Sequence, residues 1–293
     1  MGGIMSFSTS SFITKVVGPQ AKQLINNYNI IIDDIVDTYP QASIINTEAR
    51  ARAAFIIPQY CIELGYESMI GQSIDPCLSV QCMPFSLICL SVAIADDIID
   101  VHNTSFKRNM ELGCASLAIN NYAYNKLLLL SDIQIRSDLS QAISQLIDSI
   151  LSIGAEEINY RNSKIFSPEN YLKITKQKTS CYTRHAFLIS TRLVDKYSEY
   201  HKAMIQLGNH VGTVFQLIDD LMDVDKDALD EADSITYPMF LKDNDQNMDA
   251  IYKIIAAEFD GAINVAKNLP YSSKIVQFLQ DIEASINKNE LIL

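Results

Sequence analysis

The amino-acid sequence predicts a single all-α domain of about ten helices. The chain shows no succession of predicted strands alternating with predicted helices, and its 293 residues include only 10 glycines and 8 prolines. Long segments instead carry apolar residues at the three- and four-residue spacing of helices that bury one face. Short polar or proline-bearing connections separate these segments, as expected between packed helices.

The predicted helices can be placed along the chain from this spacing. Their approximate ranges are 20–38, 48–66, 83–101, 110–130, 136–162, 168–194, 197–223, 245–267 and 271–287. The connections TYPQAS, SIDPC, KIFSPEN and KNLPYSS contain prolines that interrupt the helical pattern. Ser167 before Pro168 is a favourable N-cap and first-turn pair, so one helix should begin there. We expect residues 1–10 to be a flexible leader and residues 11–293 to form the single domain.

Composition and charge exclude several classes of protein. Apolar residues make up 48% and charged residues 20% of the chain, which is ordinary for a globular domain. The net charge of −12 argues against nucleic-acid binding and suits metal cations. The longest apolar stretch, Met83 to Ala95, is shorter than the roughly 18 residues of a membrane span. With six cysteines and no zinc-type pairing, we expect a cytoplasmic protein without stable membrane insertion.

The pattern Asp-Asp-x-x-Asp occurs three times, at 33–37, 96–100 and 219–223. The helices before the second and third copies are apolar on every face, so their aspartates should lie at the edge of an apolar interior. Unpaired carboxylates there would be costly, and lysine and arginine are scarce nearby. Hard divalent cations, Mg²⁺ above all, are the natural partners. Because residues four apart share a helix face, the candidate metal ligands are Asp96, Asp97, Asp100, Asp219, Asp220 and Asp223.

The copy at 33–37 is expected to differ from the other two. It ends three residues before Pro40, and the polar segment NNYN precedes it. We therefore expect an exposed helix end without a metal role. A solvated helix end is also the alternative interpretation of the other two copies.

The later copies lie within a wider resemblance to a known family. GTVFQLIDDLMD resembles the G-x-x-F-Q-x-x-D-D-x-x-D motif of the trans-isoprenyl diphosphate synthases. YLKITKQKTS resembles their Y-L-x-I-x-x-x-K-T segment, and DDIID at 96–100 completes three motifs in the family's order. The likeness spans nearly the full chain. It implies the isoprenoid synthase type I fold, an all-α bundle around a central cavity, usually in a homodimer.

The resemblance also implies a reaction and the residues that carry it. In this family the two aspartate motifs face each other and bind Mg²⁺, typically three ions, which hold the diphosphate of an allylic prenyl substrate. Breaking the C1–O bond leaves an allylic cation and a charged diphosphate, which metals and a lysine neutralise. The apolar cavity excludes water from the cation. By this resemblance Lys178 is catalytic and binds diphosphate with Thr179, while Phe215 and Gln216 contact the substrate.

The sequence departs from the family where a second substrate, isopentenyl diphosphate, would bind. The family's G-G-K-x-x-R motif matches TEARARAAF only at Arg52. The arginine pair after the first aspartate motif is replaced, and the basic pair Lys107–Arg108 is displaced by two positions. The lysine expected after the second motif is missing, with Lys226 as the nearest substitute. Each lost charge-assisted hydrogen bond is worth about 1.5–3 kcal/mol.

These losses favour one function and leave two alternatives open. The favoured function is Mg²⁺-dependent ionisation of an allylic prenyl diphosphate with diphosphate release, giving a cyclised or otherwise quenched terpene. The first alternative is a chain-elongating prenyltransferase that condenses isopentenyl diphosphate with an allylic diphosphate. The second alternative is a non-catalytic partner subunit of a prenyl synthase.

The expected substrate length comes from the helix that carries Asp96. In the family, a bulky aromatic residue four or five positions before the first aspartate closes the pocket. Val92 and Ser91 occupy those positions here, so no aromatic ring blocks a long tail at this level. We expect both to line the pocket and a farnesyl or geranylgeranyl tail to fit. The alternative is that Ser91 faces a neighbouring helix.

Overall fold

The fold was determined from a computed structural model of the chain. It describes residues 17, 21–47, 49–100, 106–163, 166–194, 199–227, 236–244 and 246–287. Over these residues the chain forms eleven α-helices, one 3-10 helix and no strand, which confirms the predicted all-α class. The predicted leader, residues 1–10, lies outside the described residues.

The helices follow one another with short connections. They are α1 (Ala21–Thr38), the 3-10 helix (Pro40–Thr47), α2 (Ala49–Ile70), α3 (Pro76–Asp100), α4 (Phe106–Leu128), α5 (Ile133–Ser163), α6 (Pro168–Lys178), α7 (Ser180–Arg192), α8 (His201–Asp227), α9 (Tyr237–Asp243), α10 (Asp249–Ala266) and α11 (Ser273–Asn287).

Helix α3 begins earlier than the prediction of 83–101, at Pro76. Asp75 caps it, because its Oδ1 accepts a hydrogen bond from the backbone N–H of Cys77 at 2.8 Å. Pro84 lies inside the helix, where a proline removes one backbone hydrogen bond. Burial of the surrounding apolar residues outweighs that cost, so the helix continues through the proline.

The segment predicted as one helix over 168–194 is two helices, α6 and α7, which meet at Thr179. The predicted start is confirmed, since the Ser167 Oγ accepts a hydrogen bond from the Asn170 N–H at 3.3 Å. The break matters because it falls directly after the lysine that the family resemblance singles out. The short helix α9 and the 3-10 helix were not predicted.

Helix α3 lies in the centre of the bundle, packed against α2 and α4. Phe55 on α2, Phe85 on α3 and Phe187 on α7 are completely buried in the core. By length and composition the stretch Pro76–Asp96 could cross a membrane, but two thirds of it is buried inside the protein. A central core helix meets the same criteria of length and composition.

Two glycines on α8 allow α7 to pack unusually close to it. A Cβ atom at Gly208 would overlap the Cα of Arg184, and one at Gly212 would overlap the Cα of Ser180. Glycine is therefore required where the two backbones meet. Gly212 is also the first residue of the GTVFQ segment, so this part of the motif has a packing reason. It holds the start of α7, just after Lys178, against the helix that carries the second aspartate motif.

Candidate active site

Helix α6 contacts both aspartate motifs. At its C-terminal end, the Nζ of Lys178 lies 3.3 Å from the Oδ2 of Asp96 on α3. In its first turn, the Tyr171 hydroxyl donates a hydrogen bond to the Oδ2 of Asp220 on α8. Tyr171 and Lys178 are seven residues apart, which is two turns and about 10 Å along the axis, so they share a face. One helix therefore brings the ends of α3 and α8 into one site.

The two aspartate motifs lie at the edge of the apolar interior, as predicted. Leu90 and Ile94 on α3 are buried, whereas the Asp96 side chain is 40% exposed. On α8, Ile218 is buried and Asp219 is exposed. On each helix, buried apolar residues therefore precede an accessible carboxylate.

This donor set fits a hard divalent cation, because accessible carboxylate oxygens at two helix ends are the ligands that Mg²⁺ prefers. The side chains of Asp97, Asp100 and Asp223 lie outside the described part of the structure. Among the side chains that are described, no group of three metal-ligating residues occurs. The six aspartates therefore remain predicted metal ligands.

Asp220 is held by two hydrogen bonds rather than presented to solvent. Its Oδ2 accepts from Tyr171, and its Oδ1 accepts from the Gln216 Nε2 at 2.9 Å. Gln216 in turn accepts from the Thr179 hydroxyl through its Oε1. Burial raises the pKa of Asp220 to about 7, against the opposing effect of both hydrogen bonds. Asp220 thereby joins α6 and α8, while its neighbour Asp219 faces outward.

The Lys178 ammonium lies between two carboxylates. Besides Asp96, it contacts the Oε1 of Glu157 on α5 at 3.1 Å. The lysine side chain is only 22% exposed, so this charge is partly shielded from water. An ammonium in this place can neutralise an anion that binds between the two aspartate motifs.

Sequence analysis missed Tyr171 and Glu157. Tyr171 could have been found, because it begins the YLKITKQKTS segment two helical turns before Lys178. Glu157 carried no such signal, since it lies 21 residues before Lys178 on another helix. Only the packing of α5 against α6 brings them together.

The basic residues that could bind a second diphosphate have other partners, are exposed on the surface, or have side chains outside the described part of the structure. The Arg52 guanidinium lies 5.7 Å from the ring centroid of Tyr28 on α1. Lys107 is 85% exposed on α4 and pairs with Glu111 at 3.7 Å, while Arg108 is exposed beside it. The side chain of Lys226 lies outside the described part of the structure.

Ser91 faces α4 rather than the interior below Asp96. Its hydroxyl donates to the Ser116 carbonyl at 3.0 Å, and the Ser116 hydroxyl donates to the Ser91 carbonyl at 2.8 Å. This contact agrees with the alternative that Ser91 faces a neighbouring helix. The described contacts of Ser91 are therefore not those expected of a residue that lines the pocket. Val92 is half-buried and stays the predicted wall position, while Phe215 is buried below the second motif.

The copy at 33–37 lies on the surface of α1. Asp33, Asp34 and Asp37 are all exposed, which confirms the predicted solvated helix end. Asp34 accepts a hydrogen bond from Tyr122 and lies 3.6 Å from Lys126, both on α4. This copy therefore links α1 to α4 on the outside of the bundle.

The fold and the site together define a class of helical protein in which two aspartate motifs, on α3 and α8, are joined by a helix that carries a lysine. The chain belongs to the polyprenyl synthetase family, whose model matches residues 86–232. That range contains the aspartate motifs at 96–100 and 219–223, and Lys178. The protein is accordingly an enzyme that acts on prenyl diphosphates. This disagrees with the alternative of a non-catalytic partner subunit.

Several solved structures share the fold at low sequence identity. A geranyltransferase from Legionella pneumophila is 15% identical with a TM-score of 0.66, covering 96% of this chain and 99% of its own. A geranylgeranyl pyrophosphate synthetase from the archaeon Geoglobus acetivorans is 17% identical with a TM-score of 0.65, covering 97% and 99%. A decaprenyl diphosphate synthase from Rhodobacter capsulatus is 12% identical with a TM-score of 0.67, covering 96% and 99%. No curated protein sequence matches the chain.

Proposed function

We propose that this protein is an Mg²⁺-dependent prenyl diphosphate synthase. It would ionise an allylic prenyl diphosphate with release of inorganic diphosphate and join the cation to isopentenyl diphosphate, and the adduct would then lose a proton to give the longer prenyl diphosphate. The observation that carries the proposal is that α6 joins both aspartate motifs, through Lys178 to Asp96 and through Tyr171 to Asp220. Family membership and the names of the similar structures support chain elongation. The sequence alone had favoured ionisation without elongation.

The chain's own residues would hold and neutralise the leaving diphosphate. Asp96 and Asp219, with the other aspartates of their motifs, would hold Mg²⁺, three ions by family resemblance. When bound there, Mg²⁺ supplies Lewis-acid stabilisation of the charge that develops on the diphosphate. Lys178 adds a partly shielded ammonium on the same side. Because its surroundings are only partly wet, its attraction to the anion is stronger than in bulk water.

The apolar residues below the site would protect the allylic cation. Leu90 and Ile94 on α3 and Phe215 and Ile218 on α8 are buried beneath the aspartates. They present no nucleophile to a cation formed at the diphosphate end. Exclusion of water is required, since water would otherwise quench the cation before it reached the second substrate.

A second candidate is ionisation without isopentenyl diphosphate, giving a terpene. One observation favours it: two of the cations that could hold a second diphosphate are engaged elsewhere. Arg52 lies over the Tyr28 ring, and Lys107 is exposed and paired with Glu111. The favourable charge-assisted hydrogen bonds of a second diphosphate site would then be missing.

An incubation distinguishes the two candidates. Purified protein with Mg²⁺ receives geranyl, farnesyl or geranylgeranyl diphosphate, each with and without isopentenyl diphosphate. Longer prenyl diphosphates formed only with isopentenyl diphosphate support the synthase. A hydrocarbon or alcohol formed without it supports ionisation alone. Absence of turnover under all six conditions would contradict both.

We also propose that the protein is a homodimer with α4 in the contact. One face of α4 carries exposed apolar side chains at helical spacing, namely Phe106, Met110, Leu117, Tyr124 and Leu128. An exposed apolar stripe of this length is typical of a protein interface. Leu117→Arg should convert a dimer to a monomer in light scattering. Ile30→Arg, at an equally exposed apolar position on α1, is the matched control and should leave the mass unchanged.

A further inference from the structure

We propose that Glu157 is a positioning residue for Lys178, which keeps the ammonium at the diphosphate site when Mg²⁺ occupies the aspartates. The inference rests on the proposed function and assigns a residue outside all three motifs to it. Glu157 lies on α5, its side chain is 17% exposed, and its Oε1 is 3.1 Å from the Lys178 Nζ. The same ammonium lies 3.3 Å from Asp96.

The two carboxylates that share Lys178 differ in what metal binding does to them. Asp96 is a predicted Mg²⁺ ligand, and a divalent cation on its carboxylate repels a neighbouring ammonium. The Lys178–Asp96 contact must therefore weaken as the site fills. Glu157 belongs to neither aspartate motif, so its contact with Lys178 can persist. It would hold the ammonium in place for the incoming diphosphate.

A simple structural tie between α5 and α6 does not account for this pair. The preceding residue, Glu156, already joins the same two helices through Lys173 at 3.0 Å. That outer pair is more exposed, at 44% for the glutamate and 58% for the lysine. Exposed pairs of this kind contribute little to stability. The inner pair differs because its lysine reaches the first aspartate motif.

The direction of the effect separates positioning from mere proximity. A carboxylate that only lies near an anion site repels the anion, so its neutralisation would tighten diphosphate binding. A carboxylate that positions Lys178 has the opposite effect. Without it, Lys178 loses its described contact outside the aspartate motifs, and its flexible stem is less firmly oriented toward the diphosphate. Neutralising Glu157 should then weaken diphosphate binding.

The test is calorimetric titration of the full-length protein with inorganic diphosphate in saturating Mg²⁺. Glu157→Gln should raise the Kd for diphosphate about ten-fold, and Glu157→Asp should keep it within about three-fold. Glu156→Gln, the matched control, should leave it unchanged. In a Lys178→Met background, Glu157→Gln should have no further effect, because Glu157 acts through that lysine. Thermal unfolding in EDTA checks that each variant is folded.

Each other result overturns the inference. Unchanged or tighter binding by a folded Glu157→Gln variant means that Glu157 does not position Lys178. Equal losses from Glu156→Gln and Glu157→Gln mean that both pairs only tie the helices together. If the wild-type protein itself binds no diphosphate with Mg²⁺, the proposed function falls and the inference falls with it. Wild-type binding with an unaffected Glu157→Gln variant rejects the inference alone.

Discussion

Asp34 and Asp220 are the second aspartates in two copies of the pattern Asp-Asp-x-x-Asp, and each accepts a hydrogen bond from a tyrosine. Asp34 is exposed on α1, where the hydrogen bond from Tyr122 and the nearby Lys126 lower the pKa of its carboxyl group. Asp220 is half-buried on α8, where burial raises the pKa of its carboxyl group to about 7 despite the bond from Tyr171. The partner is the same type of side chain, but the surroundings differ.

The burial of this pattern, and the pKa of its second aspartate, therefore depend on the helix that carries it. On α1 the aspartates face water, and the ion pair with Lys126 is a weak surface contact. On α8 the apolar residues before the motif bury its base and leave Asp219 exposed at the end. A metal bound there would be flanked by a shielded network instead of bulk water.

The largest effect is expected from the aspartates that face the site. Asp96→Ala or Asp219→Ala should lower kcat about a thousand-fold or more, because each removes a predicted Mg²⁺ ligand. Asp33→Ala combined with Asp37→Ala should leave kcat within a few-fold of wild type. Steady-state turnover of the allylic diphosphate with Mg²⁺ measures both. Equal losses from the two groups would remove the distinction between buried and exposed copies.

Lys178 should show the next largest effect. Lys178→Gln should lower kcat about a hundred-fold, since it removes the ammonium that is proposed to neutralise the leaving diphosphate. Lys173→Gln is the control, because Lys173 lies on the same helix and pairs only with Glu156 in the described contacts. Similar losses at both lysines would show that charge on α6, not the position of Lys178, matters.

The hydrogen bond to the buried aspartate should matter less. Tyr171→Phe removes the donor to Asp220 while keeping the aromatic packing with Phe166 and Tyr237. We expect kcat/KM to fall about ten-fold, because a buried hydrogen bond to a carboxylate is lost. Tyr122→Phe, the equivalent change at the exposed copy, should leave kcat/KM within about two-fold. A larger effect from Tyr122→Phe would contradict the comparison.

The sequence predicted the fold class and most helix ranges, because these depend on local apolar spacing. The pair of Ser167 and Pro168 predicted the start of α6. The same kind of pair, Asp75 before Pro76, marks the start of α3, but the prediction began that helix at residue 83 because SIDPC was assigned to a connection. Local spacing could not separate α6 from α7, where the close approach at Gly212 involves a distant helix.

The site was predicted less completely, for a related reason. Lys178 and the aspartates could be predicted as site residues because motifs mark them. Glu157 was not predicted, and the direction that Ser91 faces was left open, because both contacts depend on which helix packs beside the residue: α6 for Glu157, and α4 for Ser91. Contacts between two helices, even consecutive ones, are not encoded in the spacing within either helix.

The smallest expected effect concerns a buried titratable group that has no partner to compensate it. His185 is 5% exposed, neither ring nitrogen has a hydrogen-bond partner among the described residues, and burial lowers its pKa to about 4. Arg184 and Arg192 lower it further in the same direction. The folded protein thus binds this proton less readily than the unfolded chain, whose histidine has a pKa of about 6.5.

Stability from this source is complete above pH 6.5 and is lost as the pH falls toward 4. Between pH 7 and 5.5 the loss should be about 1 kcal/mol in the free energy of unfolding. His185→Leu removes the titration, so its stability relative to wild type should rise by that amount over the same interval. Urea unfolding in EDTA at both pH values measures the difference, and carboxylates common to both proteins cancel. A difference that does not change with pH would show that burial does not control the protonation of His185, and the explanation given for Asp220 would lose its closest parallel.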